Sequence, residues 1–417
     1  MTSEEWKIAA IKDVVACLDA GASVLSEDRT KRQGEIGVLK VSAVSYGRFT
    51  PEAHKAVVEA SQIARLAAKP QKDTLLVSRA NTFDLVGASV YVAEDHPDLF
   101  LSDKLWRIRT VENCDARWLS YVLSTGRVRA DISERATGTS GSMKNISQEA
   151  FLDVKILLPP LPEQRKIAEI LGTWDAAIER VTRLVAALQR RKQGLMQRLL
   201  TGKVRFPEFV RSEAKQQTRY TSLPAEWNYV AISEIAREVS LRNTNGDALS
   251  VLSCTKYDGL VDSLSYFGRQ IFSEDTSGYK VVKHAQFAYA TNHIEEGSIG
   301  YQDLYNAALI SPMYTVFETT GGVNDAFLYR LLKTELYRHI FEVNTSGTVN
   351  RRGRLGWEDF ARIKVPLPSE AEQRRIAEFF ATVDQEINLQ QQRLAALRQQ
   401  KQGLMQRLLT GQVRVPV

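Results

Sequence analysis

The side chains most often used for catalysis or metal binding are scattered through this sequence of 417 residues. Five histidines lie far apart: His54, His96, His284, His293 and His339. Three cysteines, Cys17, Cys114 and Cys254, form no CxxC, so neither a disulfide framework nor a zinc site is indicated. No GxxxxGK[ST] phosphate loop is present. The sequence therefore gives no basis for a catalytic role or for a bound metal.

Positive charge is a more suggestive chemical feature. The net charge is +6 and the sequence pI is about 9.0. Cations crowd one stretch in the middle of the chain: Arg180, Arg183, Arg190, Arg191, Lys192, Arg198, Lys203 and Arg205. The end of a helix attracts cations electrostatically, which accounts for part of this crowding. The remainder would suit a phosphate backbone or an acidic partner.

A long repeated stretch positions these cations. Residues 163–202 and 372–411 both begin with EQR-x-IAE and end with KQGLMQRLLTG. They align without a gap at an offset of 209 (372 − 163), which is half the chain. A repeat of this length and identity predicts that the same structural element occurs twice.

Each copy has the pattern of a long helix. Apolar residues recur at alternating steps of four and three, as at the a and d positions of a coiled coil. The predicted seam contains Ile167, Leu171, Trp174, Ile178, Val181, Val185, Leu188, Leu195, Leu199, Ile376, Phe380, Val383, Ile387, Leu394, Leu397, Leu404 and Leu408, with Lys192, Gln390 and Lys401 as polar members. Gly202 and Gly411 are placed to end the helices. We expect rods of roughly 57 Å that pair antiparallel, although two ordinary helices of similar domains would also repeat.

A segment of different sequence precedes each repeated helix, and we call these two segments the heads. Strand-like runs, short predicted helices and glycine-containing loops give the heads an α+β character. The predicted domains are a first head at 1–157, a central helix at 158–205, a polar linker at 206–221, a second head at 222–365 and a C-terminal helix at 366–417. Runs predicted as strands are 36–44, 74–78, 89–92, 249–253, 286–290 and 313–317, and runs predicted as helices are 61–68 and 117–123.

No window approaches the 18 apolar residues of a membrane span, and the N-terminus is acidic and polar. We therefore expect neither a signal peptide nor a membrane span. A reducing cytoplasm fits the cysteine usage.

The chain resembles the specificity subunit of a type I restriction–modification system. The residues that carry the resemblance are the two repeated helices, the RFPEF segment after the first, the head starts at Trp6 and Trp227, the Thr/Ser-Gly-Thr loops, and Pro159, Pro162, Pro366 and Pro368. It covers nearly the full length. It implies two globular target-recognition domains held apart by two long conserved helices in an antiparallel coiled coil.

The resemblance also implies a function. Each head would read half of a bipartite, asymmetric site in double-stranded DNA. The helices would bind modification subunits, which methylate adenine with S-adenosylmethionine, and a restriction subunit that uses ATP and magnesium would complete the assembly. The chain itself would bind no cofactor and would not be an enzyme. Because one turn of DNA is about 34–36 Å, rods of this length would place two heads on successive turns and fix the gap between half-sites.

Polar and cationic loop residues are the best candidates for contacting base edges and phosphates. Candidates in the first head are Arg79, Asn81, Thr139, Ser140 and Lys144. Candidates in the second head are Asn292, His293, Thr348, Asn350, Arg351 and Arg352.

Other functions stay open at this point. The chain could be the recognition subunit of a restriction enzyme with a fused nuclease–methylase partner. It could also be a coiled-coil scaffold that reads no DNA sequence, or an enzyme whose motif is unrecognised. Neighbouring reading frames, salt-dependent DNA binding and methylation by the chain alone would separate these alternatives.

Overall fold

The computed structural model describes residues 5–45, 47–138, 143–345 and 354–416, and it mixes helices with short strands. The chain divides into two compact units: residues 1–182 with 392–417, and residues 183–391. Each unit therefore contains one head and part of each of the two long helices. The predicted α+β class is confirmed. Within the described ranges, no helix is long and apolar enough to cross a membrane.

The first unit contains the first head. Its strands are β1 (Lys7–Ala10), β2 (Val15–Ala20), β3 (Ile36–Leu39), β4 (Val44–Ser45), β5 (Arg48–Phe49), β6 (His54–Val57), β7 (Thr74–Ser78), β8 (Ala80–Asn81), β9 (Ser89–Val92), β10 (Leu99–Leu101), β11 (Leu105–Thr110), β12 (Lys144–Asn145) and β13 (Lys155–Leu158). Its head helices are α1 (Ala60–Ile63), α2 (Ala116–Leu123), α3 (Gly126–Arg135) and α4 (Gln148–Leu152). Short 3-10 turns lie at Ile11–Asp13 and Val41–Ala43.

A four-stranded antiparallel sheet in the order β2-β11-β7-β9 forms the centre of the first head. Every residue of β7 is buried, as expected of a central strand with an apolar TLLVS sequence. Trp106 on β11 packs edge-on against Phe151, with ring centroids 5.7 Å apart. Strands β10, β3 and β6 form a second, three-stranded sheet. The core therefore lies between the four-stranded sheet and the helices that follow it.

The second unit contains the second head. Its strands are β14 (Lys215–Gln217), β15 (Ser222–Pro224), β16 (Asn228–Ala231), β17 (Ala236–Val239), β18 (Val251–Thr255), β19 (Gly259–Asp262), β20 (Lys280–Lys283), β21 (Phe287–Ala290), β22 (Ile299–Tyr301), β23 (Ala307–Ile310), β24 (Tyr314–Thr319) and β25 (Lys364–Leu367). Its head helices are α6 (Ile232–Ile235), α7 (Ser263–Phe267), α8 (Asp325–Leu332), α9 (Glu335–Asn344) and α10 (Trp357–Arg362), with 3-10 turns at Pro207–Phe209 and Ile294–Glu296.

The second head repeats the topology of the first although its sequence differs. Its central sheet has the order β17-β24-β21-β22, with every neighbouring pair antiparallel. A second sheet has the order β19-β18-β23-β20. Phe287 and Phe317 stack with ring centroids 4.8 Å apart, and Phe360 packs 5.3 Å from Phe317. Strands β21 and β24 thus correspond to β7 and β11 of the first head.

The two repeated stretches form long helices, as predicted. Helix α5 covers Leu161–Leu199 and helix α11 covers Glu370–Leu409. Gly202 and Gly411 have positive φ values of +68° and +74°, the left-handed conformation that ends a helix. The Gly202 amide donates to the carbonyl of Leu199 at 3.2 Å. The prediction that these glycines end the helices is confirmed.

Three local expectations differ from the structure. The strand predicted over 36–44 ends at Leu39, because the chain turns at Val41–Ala43. The segment 206–221 is not a plain polar linker, because Lys215–Gln217 pairs antiparallel with Ser222–Pro224. The helix expected at 61–68 covers only Ala60–Ile63. The second half of the predicted segment is not helical and instead bonds to β10, because the Leu101 amide donates to the carbonyl of Ala68 at 2.9 Å. Tertiary hydrogen bonding outweighs helix propensity there.

Candidate nucleic-acid interface and its helical support

A polar cluster joins the two long helices within the first unit. The Lys401 ammonium donates to Asp175 Oδ1 at 2.5 Å, and the Tyr121 hydroxyl donates to Asp175 Oδ2 at 2.5 Å. Lys401 Nζ also lies 5.0 Å from the centre of the Tyr121 ring. Burial raises the pKa of Tyr121, and the Asp175 carboxylate raises it further, so the hydroxyl keeps its proton. The start of α5 therefore packs against the end of α11, which is an antiparallel arrangement.

The second unit contains the corresponding cluster. Lys192 Nζ lies 2.6 Å from Asp384 Oδ1, and Arg330 donates to Asp384 Oδ2 at 2.9 Å. These residues stand 209 positions from Lys401, Asp175 and Tyr121, respectively (401 − 192, 384 − 175 and 330 − 121). The cluster is thus repeated with arginine in place of tyrosine. Two of the seam positions predicted to be polar, Lys192 and Lys401, form these ion pairs.

The predicted apolar seam residues all lie in buried or partly buried positions of their helices. The buried ones are Ile167, Leu171, Val181, Val185, Leu199, Ile376, Phe380, Ile387, Leu394 and Leu408. Leu408 belongs to the same core cluster as Ile167 in the first unit, and Leu199 joins Ile376 in the second. Each seam half therefore packs against its head core as well as against the other helix.

A buried carboxylate fixes the start of each helix. In the first unit Glu163 is only 2% exposed and accepts hydrogen bonds from the Trp6 indole at 2.9 Å and from Arg414 at 2.8 Å. Burial opposes the ionisation of Glu163, but the bonds from Arg414 and Trp6 outweigh it and hold its pKa below the usual value. The Glu163 carboxylate thus joins the start of the head, the start of α5 and the segment after α11.

The second unit repeats this arrangement and corrects one expectation. Glu372 accepts bonds from the Trp227 indole at 3.1 Å and from Arg205 at 2.8 Å. Arg205 also contacts Glu226 at 2.6 Å, and its side chain is 8% exposed. Arg205 belongs to the basic strip expected to suit phosphate, but its charge is neutralised inside the protein. Lys192 is likewise paired with Asp384, so the strip offers fewer cations than its sequence suggests.

The glutamine that follows each carboxylate ties its helix to the head. Gln164 Nε2 donates to the carbonyl of Pro159 at 2.9 Å, and its Oε1 accepts from the amide of Asp115, which caps α2. Gln373 makes the same contacts with Pro368 and with Asn324, the cap of α8. The Glu-Gln pair at the start of each repeat therefore connects the long helix to its head, which explains why the pair recurs in this chain.

The structure brings together three predicted contact residues of the first head. Arg79 follows the end of β7, while Asn81 on β8 lies opposite Lys144 on β12. The Arg79 guanidinium lies 6.0 Å from the centre of the Trp106 ring, and its buried Nε has no hydrogen-bond partner among the described residues. Lys144 donates to the carbonyl of Gly138 at 3.0 Å. Thr139 and Ser140 lie outside the described residues.

The second head places two of its predicted contact residues at the corresponding strand end. Thr291 follows β21 directly, and Asn292 and His293 come after it. The Leu355 amide donates to the carbonyl of Thr291 at 2.9 Å. In the first head, the Ile146 amide donates in the same way to the carbonyl of Arg79 at 3.0 Å. The remaining candidates, Thr348, Asn350, Arg351 and Arg352, lie outside the described residues.

His293 also lies in a small group with metal-binding chemistry. One ligand atom from each of His293, Glu295 and Glu296 lies within 4.8 Å of the others. The His293 and Glu296 side chains are 60% and 56% exposed, so water solvates both. Exposed acidic groups commonly cluster without a metal, and we assign no ion to this turn.

Comparison with known proteins identifies the family. The model of the type I restriction modification DNA specificity domain matches residues 3–190 and 266–399, so both heads and both helices contribute. The chain belongs to this family. Each matched segment covers much of one head and most of the long helix that follows it.

Relatives within the family extend over most of the chain. The MjaVIII type I restriction enzyme specificity subunit of Methanocaldococcus jannaschii is 25% identical over 71% of this chain and 70% of its own length. The putative MjaX specificity subunit of the same organism is 23% identical over 99% and 94%. The crystal structure of the S subunit from M. genitalium matches with a TM-score of 0.57 at 16% identity, covering 98% of this chain and 96% of that one. This last likeness shows the shared fold.

Sequence reasoning misses several residues that hold these family elements together. Neither Glu163 nor Arg414 is among the candidate residues, although Arg205 and Arg414 share the offset of 209 (414 − 205). The repeat in fact continues past its glycines into Val204-Arg205 and Val413-Arg414. Extending the alignment by three residues reveals the second member of each ion pair.

Proposed function

We propose that this chain is the non-catalytic subunit that reads DNA sequence in a type I restriction–modification assembly. Its two heads would each read one half of a bipartite, asymmetric site. Its long helices would bind modification subunits that carry S-adenosylmethionine and methylate adenine. A restriction subunit that uses ATP and magnesium would bind the larger complex.

One observation carries this proposal: the same position on two equivalent sheets bears different side chains. The strand end that carries Arg79 in the first head carries the buried Thr291 in the second, and the position of Asn145 in the first head is taken by the exposed Arg354 in the second. A shared enzyme site would require the same chemistry in both units. Different hydrogen-bonding groups on one scaffold are instead suited to different base sequences.

The helical joints support a division of labour. Glu163, Gln164 and Asp175 have close counterparts in Glu372, Gln373 and Asp384, with matching bonds in each unit. The parts that hold the heads are therefore duplicated, while the strand ends diverge. This is the arrangement expected if the helices serve a common partner and the heads serve different half-sites.

The proposal is tested by mapping adenine methylation with the full chain assembled on its modification subunits. Arg79→Gln should change or abolish recognition of one half-site and leave the other unchanged, because Arg79 belongs to the first head alone. Asn292→Ala should affect only the other half-site. Lys72→Gln is a matched control, since Lys72 is exposed and lies just before the other end of strand β7, away from Arg79.

The outcomes are distinct. Loss of one half-site in each variant, with Lys72→Gln unchanged, supports two independent reading heads. Changes in both half-sites from Arg79→Gln alone would contradict the assignment of one half-site to each head. Specific methylation by the modification subunits without this chain would contradict the function itself.

A further inference from the structure

One cation of the first head has no polar partner among the residues that the structure describes. Arg79 directly follows strand β7, and its side chain neither donates a hydrogen bond to a described residue nor forms an ion pair with one. Its Nε atom is nevertheless buried. A buried donor without an acceptor is uncommon in folded proteins, because it loses its hydration and gains no bond in return. The Arg79 guanidinium is therefore a donor group suited to an acceptor from outside the head.

Three contacts fix the position of this guanidinium. The Arg79 amide donates to the carbonyl of Lys104 at 2.9 Å, and the Arg79 carbonyl accepts from the amide of Ile146 at 3.0 Å. The guanidinium carbon lies 6.0 Å from the centre of the Trp106 ring. Trp106 is 1% exposed and packs edge-on against Phe151, so the ring itself is held in place. A side chain that is positioned in advance loses little conformational entropy when it binds a ligand.

The two predicted contact residues beside Arg79 use their polar atoms within the head. The Asn81 Nδ2 atom donates to Ser78 Oγ at 3.2 Å, and Asn81 Oδ1 accepts from the Thr82 amide at 2.9 Å. The Lys144 ammonium donates to a main-chain carbonyl at 3.0 Å. Of these three neighbouring candidates, only Arg79 has a side chain without a hydrogen bond to a described residue.

We propose that Arg79 reads a guanine in the half-site of the first head, and that Trp106 is the residue that positions it. This inference rests on the proposed function, because it assigns a base to one of the two heads. A guanidinium offers paired N–H donors in a fixed plane. Guanine presents two acceptors, N7 and O6, in the major groove, and each of the other bases presents at most one acceptor there. Arg79 is therefore suited to guanine.

The surroundings of Arg79 favour a base edge over a backbone phosphate. The guanidinium is held over a buried ring, and a fixed plane suits the two acceptors of one base. A phosphate accepts from many directions and does not require this fixation. Lys144 lies opposite Asn81 in the pairing of β8 with β12, and a flexible ammonium of this kind is better suited to a phosphate.

The equivalent position of the second head has different chemistry. The residue there is Thr291, which is 3% exposed. Its hydroxyl donates to the carbonyl of Met313 at 3.1 Å. A buried threonine whose hydroxyl is already bonded cannot offer paired donors to a base. The requirement for this guanine therefore belongs to the first half-site, and the second half-site provides an internal control.

The test uses the full chain assembled with its modification subunits, and a labelled duplex that contains the methylated site. Each guanine of both half-sites is replaced in turn by 7-deazaguanine, which pairs normally but lacks the N7 acceptor. At one position of one half-site the replacement should weaken binding about tenfold, as expected for one charged hydrogen bond. In Arg79→Met the same replacement should weaken binding by no more than about twofold, because the donor to N7 is already absent.

Three variants separate base reading from effects of charge and folding. Arg79→Met keeps an apolar stem over Trp106 and removes no hydrogen bond to a described residue, so its urea unfolding should match that of the unchanged protein. Arg79→Lys keeps the charge but not the paired donors, and should also lose the dependence on N7. Lys72→Gln removes an exposed cation just before the other end of β7 and should keep the full tenfold effect.

The alternative outcomes are distinct. The guanine assignment would be overturned if no 7-deazaguanine replacement weakened binding of the unchanged assembly, or if the tenfold effect persisted in Arg79→Met. A slope of log K against log salt that becomes shallower by about 0.9 in Arg79→Met, with the 7-deazaguanine effect retained, would show a phosphate contact and also overturn it. If the unchanged assembly did not bind the duplex at all, the proposed function itself would fail, which is a separate result.

Discussion

Lys401 Nζ lies 2.5 Å from Asp175 Oδ1, although the two residues are 226 positions apart in the chain. In the second unit, Lys192 pairs with Asp384 in the same way at 2.6 Å. A parallel, in-register pairing of the two repeats would instead place Asp175 opposite Asp384 and Lys192 opposite Lys401. Like charges would then meet in the seam. The ion pairs, like the apolar residues of the seam, therefore favour the antiparallel arrangement.

The first prediction concerns the energy of the Asp175–Lys401 pair. A double-mutant cycle with Asp175→Asn and Lys401→Met should give a coupling of about 1 kcal/mol in urea unfolding. The value is modest because the side chains of Lys401 and Asp175 are 17% and 40% exposed. The exposed pair Lys166–Glu169 is the control and should couple by about 0.5 kcal/mol or less. Equal coupling in the two cycles would show that the seam pair has no special role.

The second prediction concerns acid sensitivity at the helix start. Glu163→Gln should lower the free energy of unfolding by roughly 2 kcal/mol at neutral pH, since it removes charged hydrogen bonds to Trp6 and Arg414. The folded pKa of Glu163 lies below its ordinary value of 4.5. The stabilisation is therefore full well above pH 4.5 and is lost as the pH falls through the lowered folded pKa.

Urea unfolding at neutral pH and at a pH near 3 measures this effect. The difference between the unchanged protein and Glu163→Gln should shrink on acidification. A difference that stays constant over this range would mean that ionisation of Glu163 does not contribute to stability.

Much of the fold could be predicted from the sequence because the signals are local. The run Thr74–Ser78 is predicted as a strand and forms β7 with the same bounds. The two long helices follow from the spacing of Ile167, Leu171 and their successors. The prediction for the run 36–44 is less accurate, because the chain turns at Val41–Ala43 after β3 ends. The Ala43 amide bonds back to Lys40 there, which no apolar pattern reveals.

The contacts that position the heads could not be predicted in this way. Glu163 and Arg414 are separated by 251 residues, and nothing local indicates that they meet. Lys280 on its own is an ordinary strand lysine, and its hydrogen bond to the Tyr314 carbonyl forms only because the fold places β20 beside β24. Of the predicted contact residues, Arg79, Asn81 and Lys144 lie together, but their contact with DNA stays a prediction.

The third prediction follows from the duplicated ion pairs. Residues 1–209 contain Glu163 with Arg205 and Asp175 with Lys192, so two copies can exchange both kinds of pair. The fragment should form a two-fold dimer, with weaker pairing than in the intact chain because the covalent link is absent. Assembled with modification subunits, it should methylate a palindrome built from the first half-site.

Charge reversal provides the control for this fragment. Lys192→Asp should make it monomeric in sedimentation, and the double variant Asp175→Lys with Lys192→Asp should restore the dimer. Methylation of the original asymmetric site by the fragment alone would show that the two repeats are not interchangeable.

The fourth prediction concerns the length of the helices. Inserting one heptad at equivalent positions of α5 and α11 keeps the seam in phase and lengthens each helix by about 10.5 Å. The gap between half-sites should increase by about three base pairs, while the half-sites stay the same. Methylation mapping measures both. Altered bases within a half-site together with an unchanged gap would contradict a role for helix length in spacing.

The central claim is that this chain selects the DNA sequence that its partners methylate. Sequencing the methylated adenines of the host genome, with and without the gene for this chain, tests it most directly. We predict that one bipartite, asymmetric motif loses methylation on deletion and regains it when the gene is restored. An unchanged set of methylated motifs, in cells that express the modification subunits and the chain, would contradict the claim.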